Sequence, residues 1–157
     1  MEPNRKAFLD MIAVSEIGKD LLAVSDNGYN VIVGSTPSKP ILFTSYADHP
    51  RKRIWLEHLQ LHSTAAGRYQ ILAHLFDFYK EELKLPDFSP SSQDAICIQY
   101  LRECRVLKDI DAGRIIVAIP KCKSRWASFP GADCGQHENK MEQLIAAYQQ
   151  AGGAIAG

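Results

Sequence analysis

An α+β fold, mainly helical with one small antiparallel sheet early in the chain, is what this sequence predicts. Three observations carry that expectation. Apolar residues recur at helical spacing in several separate stretches, beginning with residues 5–16. Between Ser25 and Tyr46 the pattern switches to short β-branched or apolar runs parted by turn residues. The chain has 157 residues, which suits one domain spanning 1–157 and allows burial of roughly 70% of the unfolded surface.

In the first predicted helix, 5–16, Phe8, Leu9, Ile12 and Glu16 fall on one stripe, and Gly18 can end it. Asn27-Gly28 is a turn signal. Val31-Ile32-Val33 and Ile41-Leu42-Phe43 then flank a Pro- and Ser-rich loop, so a hairpin or three-stranded sheet is expected there. Residues 47–62 read as irregular. After Ser63 and Thr64, which can cap, a helix is expected from about Ala66, with Ile71, Leu72, Leu75, Tyr79 and Leu83 as its apolar face. Ser89-Pro90 marks another helix start. That helix is expected to reach Cys104, with Ala95, Ile98, Leu101 and Arg102 on one side. Short helices follow near 106–111 and 113–119, Pro130-Gly131 opens a loop, and a last helix is expected over 136–150, burying Met141, Leu144, Ile145 and Tyr148. The terminal GGAIAG reads as a frayed tail.

Bulk charge narrows the function classes. Lys plus Arg and Asp plus Glu both number 18, which argues against a nucleic-acid binder working by bulk electrostatics. No stretch approaches the ~20 apolar residues of a membrane helix, so stable membrane insertion is not expected. The N-terminal segment has no apolar run long enough for a secretory signal, which points to a protein made in the cytoplasm. Four cysteines, at 97, 104, 122 and 134, form no C-x-x-C pair and read as reduced thiols. His58 and His62 lie four apart, but no third ligand stands at metal spacing, so no metal and no other cofactor is expected.

Glu16 is the residue with the most suggestive chemistry. It closes the apolar stripe of the first helix, where partial desolvation raises a carboxyl pKa. It also lies at the helix C-terminus, where the macrodipole disfavours further negative charge. Both effects favour a protonated carboxyl near neutral pH, as a general acid requires. Periodicity alone fits a boundary glutamate paired with Arg or Lys better. The run Arg51-Lys52-Arg53 suits carboxylates on the peptide stems of a cell-wall polymer, or simply a solvated loop. Trp55, Tyr69, Trp126 and Phe129 suit sugar stacking, although core packing is the commoner fate of such rings.

Six blocks then carry a resemblance: RKAFLDMIAVSE (5–16), NGYNVIVG (27–34), YADHPRK (46–52), STAAGRYQ (63–70), DFSPSSQDA (87–95), and WASFPG with the following GQ (126–131, 135–136). Together, in this order, they resemble the lambda endolysin family, the lambdoid phage lysozymes of glycoside hydrolase family 104. The likeness covers nearly the whole chain. It implies a lysozyme-like α+β fold with a substrate cleft between a helical lobe and a small sheet. It also implies lytic transglycosylase activity on the glycan strand of peptidoglycan, with Glu16 as the single catalytic acid and two mobile lips matching about 53–62 and 127–138. Candidate substrate contacts are Tyr46, Arg51, Ser63, Tyr69, Gln70, Trp126 and Gln136. In STAAGRYQ, Gly67 permits close approach of backbone or sugar, and Gln70 can hydrogen-bond an acetamido group or Glu16. A capped structural helix is the other reading of that block. A monomer is the default expectation, and the likeness further implies a protein held in the host cytoplasm until a holin-type protein releases it to the periplasm.

The chain departs from the family at Asn30, where relatives often carry an acid, and at Cys134, where they carry an aromatic. The Ser35–Pro40 segment lengthens the hairpin, and Pro120 is expected to shorten a helix. Two alternatives stay open: a hydrolytic muramidase of the same fold, and a non-catalytic peptidoglycan-binding protein.

Overall fold

Helix α1 (Pro3–Glu16) buries Ala7, Phe8, Leu9, Met11, Ile12 and Ala13, the face its apolar spacing dictates. In this computed structural model, which describes residues 1–132 and 137–156, α1 is followed by α2 (Lys19–Ala23), β1 (Ile54–Leu56), a 3-10 turn (Glu57–Leu59), β2 (Leu61–Ser63), α3 (Ala73–Glu82), α4 (Pro90–Glu103), α5 (Leu107–Asp111), α6 (Ile115–Lys121) and α7 (Met141–Gln150). The chain forms two compact units: residues 1–16 with 98–157, and residues 17–97.

In the first unit α1 packs on α7 and α5. Phe8, Met11, Ile12, Ile110, Leu144 and Tyr148 are all buried, and each such side chain contributes roughly 1.5–3 kcal/mol. Polar groups align the helices. Asn4 Nδ2 donates to the Ile110 carbonyl at 3.1 Å, and Arg5 grips both carboxyl oxygens of Asp111 at 2.8 and 2.7 Å. The C-terminal tail is docked, not frayed. Ala154 N donates to Asn4 Oδ1 at 3.0 Å, Tyr148 Oη to the Ala154 carbonyl at 2.8 Å, and Ala156 N to the Gly113 carbonyl at 3.0 Å. Gly113 makes this docking possible: it has φ of +77°, and a Cβ there would lie 2.7 Å from the Ala154 oxygen.

In the second unit the expected hairpin is present in reduced form. Val31 bridges Leu42, Ile32 N donates to Ile41 O at 2.8 Å and Phe43 N to Asn30 O at 3.0 Å. The Ser35 hydroxyl closes the turn, donating to Ile32 O at 2.7 Å and accepting from Ile41 N at 2.8 Å. The regular antiparallel pair lies later, with Ile54, Trp55 and Leu56 opposite Ser63, His62 and Leu61, in a stretch the sequence suggested was irregular. The third helix also starts later than Ala66. Gly67 and Gln70 both take positive φ, and Ala66 bridges Ile71, so a tight turn occupies the first predicted turn of helix. Thr64 still serves as a cap, its Oγ1 accepting from Ala73 N at 3.0 Å.

Other boundaries move as well. In α4 the buried face is Ser92, Gln93, Ile96, Cys97, Tyr100 and Leu101; Ala95 and Ile98 are half-buried and Arg102 is exposed. Pro120 does not cut α6 short but lies within its last turn. The final helix starts at Met141 and buries Leu144, Ala147 and Tyr148, with Met141 and Ile145 half-buried.

Candidate active site

Glu16 is the last residue of α1, and Gly18, at φ of +85°, turns the chain away just beyond it. The side chain is half-buried, but its carboxyl lies deep enough among protein atoms that desolvation dominates. Its pKa is pushed up from 4.5 to about 7; burial is the larger cause, and a hydrogen bond from Ser128 partly opposes it. Ser128 Oγ donates to Glu16 Oε2 at 3.1 Å. Among the described residues no Arg, Lys or His forms an ion pair with Glu16, so the boundary-pair reading fails.

Ser128 is held by the segment around it. Trp126 and Phe129 are buried on either side of it, with ring centroids 5.3 Å apart. Phe129 N donates to Trp126 O at 3.1 Å and Asn139 N to Ser128 O at 2.8 Å. Behind Ser128 stand Ser15, whose Oγ is 2.7 Å from Ser128 Oγ, and Asn139, whose Nδ2 donates to Ser15 Oγ at 3.0 Å. None of Ser15, Ser128 and Asn139 was singled out by the sequence reading. Two signals point to them in the sequence: Ser15 adjoins Glu16, and Ser128 sits inside WASFPG between aromatic residues.

The predicted substrate contacts fare unevenly. Trp126 and Tyr69 are each 1% exposed, so both rings are core and neither offers a face to a sugar. Trp126 lies edge-on to Tyr100 at 6.1 Å. Tyr69 Oη donates to Asp94 Oδ1 at 2.5 Å, as does Tyr29 Oη at 2.9 Å, and burial raises both phenol pKa values. Arg68 completes this cluster, with Nη1 on Tyr69 Oη at 3.1 Å and Nε on the Asn27 carbonyl at 3.0 Å. Arg51 is not a free cation. It clamps Asp48 and Asp77, with contacts of 2.9 and 2.5 Å, which raise its pKa. Tyr46 is half-buried and donates to Asp26 Oδ2 at 2.5 Å.

Ser63 lies in β2 and accepts from Ala65 N at 3.1 Å, and so does not cap a helix at Ala66. Gln70 folds its amide back onto the Gly67 carbonyl at 2.9 Å. Gly67 admits a side chain, not a sugar: a Cβ there would lie 2.3 Å from Gln93 Oε1, the atom that accepts from Arg68 N at 3.0 Å. Gln136 lies outside the described residues, as does Cys134. Asn30 has a structural task, its Oδ1 accepting from Asp26 N at 2.8 Å. The first predicted lip is the β1–β2 hairpin, where Trp55 is 46% exposed and donates to Glu57 Oε2 at 2.6 Å. Among the described residues no group of three His, Cys, Asp or Glu is placed to hold a metal ion, and no helix is long and apolar enough to cross a membrane.

A mainly helical chain with one short antiparallel sheet is an α+β protein, and comparison of folds shows it to be lysozyme-like. The chain is similar to bacteriophage lambda lysozyme complexed with a chitohexasaccharide, with a TM-score of 0.91 and 46% identity over 99% of this chain and 97% of that one. A second structure of bacteriophage lambda lysozyme matches with a TM-score of 0.85 at 47% identity, covering 99% and 97% of the two chains. The endolysin family model matches residues 6–155, and the chain belongs to that family. Among relatives, it is 49% identical to the endolysin of Escherichia phage lambda over 154 residues, 97% of this chain and 93% of the relative. It is 46% identical to the endolysin of Escherichia phage P2 over 157 residues, 98% and 95% of the two chains.

Proposed function

We propose that this protein is a phage endolysin that breaks the glycan strands of peptidoglycan as a lytic transglycosylase, with Glu16 as both acid and base. The observation that carries the reading is the Glu16 carboxyl itself. With no cation paired to it among the described residues and a pKa pushed up to about 7, it is poised both to give and to take a proton at neutral pH. Family membership and the chitohexasaccharide in the lambda lysozyme structure support a glycan substrate.

The chemistry needs one carboxyl. Glu16 protonates the oxygen bridging N-acetylmuramic acid to N-acetylglucosamine as the C1–O bond breaks. The resulting carboxylate accepts the proton of the C6 hydroxyl of the same muramic residue while that oxygen bonds to C1. A 1,6-anhydro ring forms, no water is consumed, and Glu16 is protonated again. Hydrolytic glycosidases generally use a second carboxylate, as nucleophile or as base for water; this route has no such requirement. The enzyme works as a monomer on the wall, reached from the host cytoplasm once a separate membrane-permeabilising protein opens the way to the periplasm.

Mass spectrometry of digested sacculi tests the reaction. Muramic ends one water lighter than reducing ends are expected, and reducing ends alone would instead establish a hydrolytic muramidase. Binding to sacculi with no new ends would establish a non-catalytic binder.

A further inference from the structure

The hydrogen bonds behind Glu16 have a direction that the chemistry of their groups determines. Asn139 Nδ2 lies 3.2 Å from the Ser15 carbonyl and 3.5 Å from the Ser128 carbonyl. Carbonyls only accept, so the atom facing them is the amide nitrogen, and the side-chain orientation is settled by its surroundings. That nitrogen has no lone pair to offer and therefore donates to Ser15 Oγ, 3.0 Å away. At the other end, Ser128 has one hydroxyl proton and points it at Glu16 Oε2. The 2.7 Å contact between the two serine oxygens must then run from Ser15 to Ser128. Every donor in the series Asn139, Ser15, Ser128 points toward the carboxyl, and bonds aligned in this way polarise one another.

We propose that Asn139, Ser15 and Ser128 form a one-way donor relay that holds Oε2 of Glu16, leaving Oε1 as the oxygen that exchanges the proton with substrate; Ser128 is the positioning residue in contact with the acid. This rests on the reading of Glu16 as the acid and names the residues that orient it. Three separate segments meet in the relay: the end of α1, the 126–132 loop and the residues before α7. The buried rings of Trp126 and Phe129 keep Ser128 in place, and the Asn139 N–H to Ser128 O bond of 2.8 Å ties the last two segments together. The relay also favours the carboxylate, the form needed when Glu16 takes a proton back.

Charged groups on the same elements are occupied elsewhere or exposed. Asp10 pairs with Lys6 at 2.7 Å and Arg125 with Glu103 at 2.6 Å. Glu138 Oε1 accepts from Gly131 N at 2.9 Å. Lys140 and Glu142 at the start of α7, Lys123 before the loop, and Lys19 and Asp20 just after Glu16 are exposed. Among the described residues, Ser128 is accordingly the group whose removal should move the acid.

The test compares Ser128→Ala, Ser128→Thr and Ser15→Ala with the parent protein, using initial rates of turbidity loss in suspensions of purified sacculi. Circular dichroism and melting temperature establish that each variant is folded. Ser128→Ala should lower kcat about tenfold, the scale of one hydrogen bond to a charged group, with KM changed less than about twofold, since the relay touches the acid and not the substrate. The alkaline limb of its pH profile should move upward, because the carboxylate loses a donor. Ser128→Thr, which keeps the hydroxyl, should restore most of the rate, and Ser15→Ala should show a smaller loss in the same direction. A folded Ser128→Ala variant with parental kcat and an unmoved alkaline limb would overturn the relay, as would a Ser128→Thr variant no better than Ser128→Ala. Failure of the parent reading is separately visible, since it would show as an active Glu16→Gln variant whatever happens at Ser128.

Discussion

Glu16 and Asp109 are carboxyls of the same unit, yet their surroundings drive them in opposite directions. Asp109, in α5, is shielded from water, its side chain 11% exposed. Much of its cover consists of two cations: Arg114 and Lys121 each reach a carboxyl oxygen at 2.9 Å. Their hydrogen bonds, Lys121 first, hold its pKa below the usual carboxylate range. The carboxyl of Glu16 is desolvated as well, but its partner among the described residues is a neutral hydroxyl, and burial pushes its pKa up to about 7. What separates the two acids here is that burial acts on Glu16 with only a hydroxyl to oppose it, whereas two cations hold Asp109 in its charged form.

The largest expected break in that contrast comes from Glu16→Gln. The amide is nearly isosteric but donates no acidic proton, so lysis of sacculi should fall by about 10³-fold or more while the circular dichroism spectrum stays that of the parent. Stability should move the other way. A carboxyl whose folded pKa is raised contributes stability that is complete below about pH 4.5 and is lost as the pH rises through about 7. The variant should therefore melt above the parent at pH 8, and the gap should close toward pH 4.5. Lower stability at pH 8 would show that Glu16 is paired after all.

The parent's pH profile comes next. If the protonated carboxyl is the active form, kcat/KM should fall about tenfold per pH unit above about 7. An ordinary carboxylate near pH 4.5 would put that limb some two units lower, so the position of the limb measures the effect of burying the Glu16 carboxyl.

The smallest effect is expected at Asp109. Asp109→Asn removes the charge that Arg114 and Lys121 share. The melting temperature should drop by roughly a few degrees at pH 7, with the lysis rate unchanged. Here the folded pKa is lowered, so the contribution is present above about pH 4 and is lost as the pH falls through the lowered value. The difference between parent and variant should accordingly vanish in strong acid. A loss of lysis by the folded variant would mean the two acids are not separate in role.

Legibility in the sequence followed the range of the forces involved. Helices α1, α4, α5 and α6 were readable to within about two residues because apolar spacing and a Ser-Pro start are local signals. The β1–β2 pair was not, since Trp55, His62 and Leu61 are exposed on short strands that lack the alternating pattern of a half-buried sheet. The turn at 66–71 was misread as helix because Gln70 carries a positive φ, which a non-glycine residue does not announce. The docking of the tail is not legible because five of its six residues are Gly or Ala and have little hydrophobicity of their own; Gly113 and Tyr148 hold it through backbone bonds and shape.

At the site the same division holds. The sequence by itself determined that an acid closes the apolar stripe of the first helix, because helical periodicity acts over a few residues and Glu16 lies in register with Phe8 and Ile12. Its family blocks then marked that acid as the one to watch. Tertiary structure alone decided what surrounds the carboxyl. Among the described residues it paired no cation with Glu16, sent the rings of Trp126 and Tyr69 into the core, and set Arg51 between two aspartates. It also placed Ser128, 112 residues away in sequence, against Oε2. Desolvation and hydrogen-bond direction depend on which distant atoms arrive at a point in space, and no local pattern in the chain encodes that arrival.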